Sequence, residues 1–313
     1  MQSTHRSIEI GSNGDRPDVP RQLWPEDIER LYLEHHPRVD DDEAMEIVSR
    51  SPGSSFWLPS TSEFILVTPW RHRDELVTIH TLGAFANEDI LMRATMEHAR
   101  AAGTAGFVVV DVNELRHPSF YARFGLEPFE KIITYEHRHP SHMLEIDDAG
   151  VEFRPITSAD RARMQELIAL DHASFPWFWW NSPEEFSVYL DHPGVEIWAG
   201  FREDELVSYA GTTLYRRWGH LDRIATRPEL QGTGIGRATL AFALRRLVQR
   251  GGRRVALSTQ ADNVRSRALY EKMGFAHTPA DDYSVFLAVF RPELISSGGS
   301  AGSTPSPQST GSA

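Results

Sequence analysis

The stretch Ile224-Ala225-Thr226-Arg227-Pro228-Glu229-Leu230-Gln231-Gly232-Thr233-Gly234-Ile235-Gly236-Arg237 joins a strand-like run to a helical one through three glycines. Glycines at a helix N-terminus let a ligand approach the backbone closely. The unpaired N–H groups and the helix dipole there favour phosphate. Spacing excludes two common phosphate binders. A dinucleotide fingerprint counted from Gly232 meets Arg237 where it needs its third glycine, and no Gly-Lys-Ser/Thr closes the loop as a P-loop would. A second block, Asn263-x-x-Ser266-x-x-Leu269-Tyr270-x-x-x-Gly274-Phe275, follows the loop. Its phenol, Tyr270, has an unperturbed pKa of about 10 and can donate a proton at neutral pH. His220 stands before the loop, and an imidazole of pKa about 6.5 is largely a neutral base at pH 7.

The Gln-Gly-x-Gly-x-Gly loop opening a helix, followed at a fitting distance by the Asn263 block, resembles the GNAT superfamily of acyl-CoA-dependent N-acyltransferases. The detailed resemblance covers roughly residues 150–292, and the first half resembles the same fold only faintly. It implies an acetyl-CoA cosubstrate and no metal. Its pyrophosphate would lie against Gln231, Gly232, Thr233, Gly234, Ile235, Gly236 and Arg237. Its pantetheine arm would run beside Ile224, Ala225 and Thr226, with Asn263 nearby. Asn263 also suits a helix N-cap, and both roles are compatible. The implied reaction is direct acetyl transfer to a primary amine within a ternary complex. No covalent enzyme intermediate is needed, in keeping with the absence of cysteine.

Within that reading Tyr270 is the acid for the departing thiolate, and a packed aromatic is the alternative. His220 is the candidate base, with Asp222 in reserve. Period two places His220, Asp222, Ile224 and Thr226 on one strand face. Trp177 and Trp180, within Phe175-Pro176-Trp177-Phe178-Trp179-Trp180-Asn181, are candidates to line the acceptor pocket. A hydrophobic plug between two repeats is the alternative for that segment. The acceptor is a small-molecule or peptide amine. Another acyl-CoA, a thiol-precursor amine, or a non-catalytic acyl-CoA sensor stand as other readings.

These residues need a scaffold of alternating helices and strands. Helical spacing runs over Ser158–Leu170, Gly236–Arg250 and Asn263–Met273. Strand-like runs cover Val195–Phe201, Leu206–Leu214, Leu221–Thr226, Val255–Thr259 and Tyr283–Phe290. An offset of 149 superposes Gly103 on Gly252, Tyr121 on Tyr270 and Gly125 on Gly274, so the plan is written twice. The expected fold is α/β (α+β), with two tandem GNAT-like domains, each a mixed, mostly antiparallel sheet flanked by helices. The boundaries are 20–147 for a degenerate first domain and 148–293 for the catalytic one. Residues 1–19 and 294–313 are polar or Ser/Gly/Pro-rich and are expected to be disordered. At the same offset Gly232, Gly234 and Gly236 meet Gly83, Phe85 and Asn87. Phe85 should obstruct phosphate there, and Tyr121 should merely pack.

Composition bounds the rest. A chain of 313 residues suits roughly two domains. The 32 Lys and Arg against 44 Asp and Glu give a net charge of −12, which disfavours nucleic-acid and anionic-membrane partners. Zero cysteines exclude disulfides, thiolate metal sites and thiol nucleophiles. With no apolar run of about 18 residues and no signal-like N-terminus, the expected location is cytoplasmic, as a monomer or homodimer. From Arg216 to Lys272 twelve Arg and one Lys face four acids, so this stretch carries +9, and −21 falls to the remainder. Such a basic stretch suits a polyanion such as coenzyme A, although Arg245, Arg246, Arg250, Arg253 and Arg254 equally suit a solvated helix face and turn.

Overall fold

A computed structural model describes residues 19–31, 33, 39–112, 116–140 and 148–296. The expected disordered ends lie outside those residues, apart from Val19 and residues 294–296. The first half contains β1 (Arg21–Gln22), α1 (Asp41–Arg50), β2 (Phe56–Leu58), β3 (Glu63–Trp70) and β4 (Arg73–Gly83), then α2 (Glu88–Ala101), β5 (Gly106–Val112), α3 (Pro118–Ala122) and β6 (Glu127–His137). The second contains β7 (Glu152–Ile156), α4 (Arg161–Ser174), α5 (Pro183–Asp191), β8 (Val195–Arg202), β9 (Glu205–Tyr215) and β10 (Trp218–Thr226). It continues with α6 (Ile235–Gln249), β11 (Arg254–Gln260), α7 (Val264–Lys272), β12 (Ala276–His277), β13 (Tyr283–Val289) and α8 (Pro292–Ser296). No helix among the described residues is long and apolar enough to cross a membrane. Packing divides the described residues into two compact units, those within 1–66 and 81–95, and those within 67–80 and 96–296.

In the first unit β2 pairs antiparallel with β1 and β3, over a core that includes Leu23, Ile28, Trp57, Phe64 and Leu66. The loop before α2 is filled from within. Glu63 Oε1 accepts the backbone N–H groups of Phe85 and Ala86 at 2.7 Å and of Asn87 at 3.2 Å. Its Oε2 accepts from Thr61 Oγ1 at 2.9 Å and from Asn87 Nδ2. A carboxylate thus occupies the anion-seeking end of α2. The Phe85 side chain, expected to obstruct phosphate here, is 83 % exposed.

In the second unit the strands run in the order β4-β5-β13-β6-β11-β10-β9-β8-β7, and most neighbours are antiparallel. The parallel pairs are β4 with β5 and β10 with β11. The last strand of each half lies in the other half's sheet: β13 pairs with β5, and β6 pairs with β11. This exchange is why the compact unit runs across residue 148. Gly125 and Gly274 both adopt a left-handed conformation, at φ 72° and 84°, as the offset of 149 requires. The counterpart of left-handed Gly103 is Gly251 rather than Gly252, a slip of one residue. Tyr121 is buried, with its ring 4.3 Å from Phe286.

Local chemistry sets the second half's helices. Asp160 caps α4 by accepting from Arg163 N at 3.1 Å, and Asn263 caps α7 by accepting from Ser266 N at 3.2 Å. Leu240, Leu244 and Leu247 bury one stripe of α6 against Val255 and Leu257 of β11. Leu294 and Ile295, placed in the tail by composition, close α8 and pack on an apolar cluster with Leu76 and Leu287.

Burial opposes ionisation of Glu63, but its N–H and side-chain donors overcome it and hold the carboxyl at about 2, below its ordinary 4.5. A depressed folded pKa stabilises above the unfolded value, and that contribution disappears as pH falls towards 2. Glu63→Gln, which leaves one acceptor oxygen where two served those donors, should lower stability by about 1–3 kcal/mol at pH 7. Urea unfolding of the two proteins should converge between about pH 4.5 and pH 2, the window set by that shift.

Candidate functional site

The site begins where two strands part. β10 pairs with β11 only over Trp218–Leu221 against Arg254–Leu257. Beyond Leu221 the far edge of β10 remains joined to β9, as far as Thr226 opposite Ser208. Arg227 N donates to Val207 O at 2.9 Å, so the directly opposed pairs at 225 and 223 also face β9 by alternation. The N–H and C=O groups of Ile224 and Thr226 therefore point into the gap towards β11. On that side Thr226 O accepts from Gln231 Nε2 at 3.3 Å and Ser174 Oγ at 3.4 Å.

The glycine loop closes the same end. Gly232 and Gly234 adopt φ of 87° and 95°, and a Cβ at either would meet nothing within 4 Å. They form an open backbone cradle at the start of α6, and Gly234 is its N-cap without a side-chain capping bond. A Cβ on Gly236 would lie 3.3 Å from Thr226 Oγ1, so close approach there seats α6 on the end of β10. Gln231 accepts from Arg265 Nη1, and Thr233 Oγ1 donates to Leu230 O at 2.7 Å. Ile235 is buried, while Arg237 is exposed beside the loop.

Tyr270, on α7, belongs to the apolar cluster that takes in Leu221 and Ile224 of β10. It is 5 % exposed, and its ring packs near Tyr135 and Phe275 at about 6 Å between centroids. Burial pushes its hydroxyl up to about 12, with the Ser266 side chain opposing the rise. It is therefore a protonated donor throughout the neutral range. The Asn263 Oδ1 is committed to the helix cap, which leaves its Nδ2 as the group able to serve a ligand.

His220 is joined to Asp222, with Nδ1 2.7 Å from Oδ1. A carboxylate can only accept, so Nδ1 carries the hydrogen and Nε2 of the neutral ring keeps its lone pair. Asp222 Oδ2 also accepts from Thr213 Oγ1 at 2.7 Å and from the Tyr189 hydroxyl. Burial and the Asp222 charge raise the Tyr189 pKa, keeping that donor protonated. The period-two expectation fails at Asp222. The register of β10 shifts there, because Leu221 opposes Thr212 while Arg223 opposes Gly211. The extra residue flips the alternation, so Leu221 and Ile224 share one apolar cluster. His220 and Ile224 are consequently on opposite faces.

On the His220 face, the fully buried Asp171 of α4 receives Arg223 Nε and Nη2, the latter at 2.9 Å, and the Tyr209 hydroxyl. Arg223 also donates to Trp179 O at 2.6 Å and stacks 3.8 Å from the Phe175 ring centroid. The aromatic segment is thereby clamped. Phe178 and Trp179 are buried, and the Trp70 indole donates to Phe178 O at 2.8 Å. Trp177 lies under Arg73, at 4.3 Å, and Trp180 stacks on His172 at 4.3 Å. The first half also supplies Arg71, which donates to Asn181 Oδ1, and Glu130, which accepts from Trp179 Nε1 at 2.8 Å. Burial pushes Glu130 up to about 7. Arg223, Trp70, Arg73, Arg71 and Glu130 each lie more than 40 residues from their partners here, and no motif announces them.

The arginine-rich stretch is divided. Arg223 is buried with Asp171, and Arg246 and Arg250 share Glu196. Arg227, Arg237 and Arg265 remain at the loop end. Arg253 and Arg254 gather at the opposite end of β10 and β11.

Residues 163–275 match the acetyltransferase (GNAT) family. That family match lies wholly in the second half and covers little more than a third of the chain. A tandem GNAT protein from the clavulanic acid biosynthesis pathway superposes with TM-score 0.60 at 13 % identity, covering 87 % of this chain and 98 % of that one. A GCN5-related N-acetyltransferase from Sphaerobacter thermophilus gives TM-score 0.57 at 16 % identity, covering 88 % and 97 %. At such identities the likeness concerns the fold, and it extends across both GNAT-like halves. In sequence the chain is 32 % identical over 126 residues to the mycothiol acetyltransferase of Streptomyces coelicolor, which is 36 % of this chain and 40 % of that protein. It is 40 % identical over 102 residues to that of Kocuria rhizophila, which is 33 % of each chain. The match thus spans well under half of these curated relatives.

The open cradle exists in the second half, whereas Glu63 fills its first-half counterpart. Calorimetry with acetyl-CoA should give one site per chain. Gly234→Trp should weaken that site at least tenfold, with about 1–2 kcal/mol of backbone strain controlled by urea unfolding. Two equivalent sites, or unchanged affinity, would contradict the assignment.

Proposed function

We propose that this protein is an N-acetyltransferase that moves an acetyl group from acetyl-CoA to a primary amine in a ternary complex. The observation that carries this reading is the gap beside β10 that opens at Leu221 and ends at the glycine cradle of α6. The cradle suits a pyrophosphate, and the Ile224 and Thr226 backbone groups suit the amides of a pantetheine arm. The residues present therefore fit the cosubstrate.

The thioester end would then lie towards the bulge at Asp222. The amine nitrogen attacks the thioester carbonyl carbon, forming the C–N bond. Its proton passes to His220 Nε2, whose ring is oriented by Asp222. Collapse of the tetrahedral adduct breaks the C–S bond, and the sulfur takes the Tyr270 proton. With the phenol near 12, Tyr270 works chiefly as a hydrogen-bond donor that stabilises the developing thiolate before transfer is complete. Similarity to proteins named mycothiol acetyltransferases favours a small-molecule acceptor over a peptide. A non-catalytic acyl-CoA sensor is the second reading, because the aromatic segment is so firmly clamped on the acceptor side.

Thiol release with a panel of primary amines separates the two, since a sensor binds acetyl-CoA without amine-dependent turnover. Tyr270→Phe keeps the ring and removes the proton, so kcat should fall by about 10²-fold while acetyl-CoA affinity holds. His220→Ala should cost a similar factor, about 10²-fold, partly recovered at higher pH where the amine is deprotonated by solvent. Full activity of both variants across the pH range would remove them from the mechanism.

A further inference from the structure

The opposite end of β10 carries a feature that acetyl transfer alone does not use. A pocket of about 810 Å³ lies where β10 and β11 begin and β6 ends. Four arginines line it, Arg138, Arg217, Arg253 and Arg254, together with Tyr215 and Trp218. Arg138 and Arg254 share one carboxylate, Glu136, at 3.0 and 3.1 Å. Among the described residues the side chains of Arg217 and Arg253 have neither an ion pair nor a hydrogen bond. Arg253 N donates to Arg217 O at 2.8 Å, which holds these two arginines side by side. Tyr215 and Trp218 stack at 5.5 Å, forming a flat wall. The result is a surplus of positive charge in a concave place on a chain of net charge −12.

The pocket adjoins the candidate base. The Trp218 ring that lines it lies 5.8 Å from the His220 ring. Two residues of strand separate them, about 7 Å. The cosubstrate reading occupies β10 from the bulge towards Thr226, so this pocket lies beyond its reacting end.

We propose that the pocket is an anion subsite on the acceptor side, suited to a phosphate-class group held by Arg217 and Arg253. Guanidinium groups match such oxyanions with paired N–H donors, and the aromatic wall restricts the group to one side. In its acceptor aspect the proposal rests on the acetyltransferase reading: the amine would present its nitrogen to His220 and its anionic end to the arginines. The anion site itself stands apart from turnover and can be tested without it.

The test is calorimetric titration with sodium pyrophosphate, performed with coenzyme A already saturating. One site should persist under those conditions and also in Gly234→Trp, which disables the loop cradle. Arg217→Ala/Arg253→Ala changes two exposed side chains and should weaken pyrophosphate at least tenfold while leaving acetyl-CoA affinity unchanged. Side-chain NMR signals of both Trp218 and His220 should shift on addition of pyrophosphate. Displacement of pyrophosphate by coenzyme A, or equal affinity in the double variant, would overturn the subsite. Signals of His220 that stay fixed while the site fills would sever it from the acceptor side.

Discussion

Everything proposed for this chain depends on the short pairing of β10 with β11. Four residues of parallel ladder hold the strands together, and then they part while β10 stays bound to β9. Unpaired backbone in a sheet interior is costly unless something satisfies it. The fold manages that cost with particular groups: Gln231 and Ser174 reach the Thr226 carbonyl, and the loop seats α6 against its side chain. On the other face, the Arg223–Asp171 pair fixes β10 to α4 just past the bulge. Removing either charge would leave its partner buried and alone, a penalty of about 3–5 kcal/mol. The gap is thus a built feature.

The two halves contribute unequally. In the first, Glu63 takes the place of an external anion, so the end of α2 is satisfied by the chain itself. In the second, the corresponding cradle stays open. Yet the first half fixes the second half's aromatic segment. Its hairpin brings Arg71 and Arg73 to the aromatic segment, and β6 brings Glu130 to Trp179. Exchange of β6 and β13 makes this possible, because each half completes its sheet with a strand from the other.

The loop, its helix and the Asn263 block were legible because their signals are local. Glycine spacing, a cap residue and a leucine stripe each constrain a few neighbouring residues. The strand exchange was invisible, since the alternation of β13 is satisfied equally well by either neighbouring strand. The bulge at Asp222 is illegible in the sequence for a related reason. Nothing in Leu221-Asp222-Arg223 marks an extra residue, and a register shift is decided by the partner strand. The Asp171–Arg223 pair and Glu130 depend on contacts 52 and 49 residues away, which one sequence does not display. The arginine-rich stretch forms one field along the sequence, but its side chains divide between buried pairs and two opposite ends of a strand.

The central claim is that a cosubstrate arm adds itself to the free edge of β10. Residue-resolved amide hydrogen exchange, with and without acetyl-CoA, tests it directly. The N–H groups of Ile224 and Thr226 face the gap, whereas that of Ala225 faces β9. Acetyl-CoA should slow exchange at Ile224 and Thr226 and along Gly232–Arg237, and leave Ala225 little changed. Protection that falls instead on residues 83–87, or no change along β10 at a saturating concentration, would contradict the account.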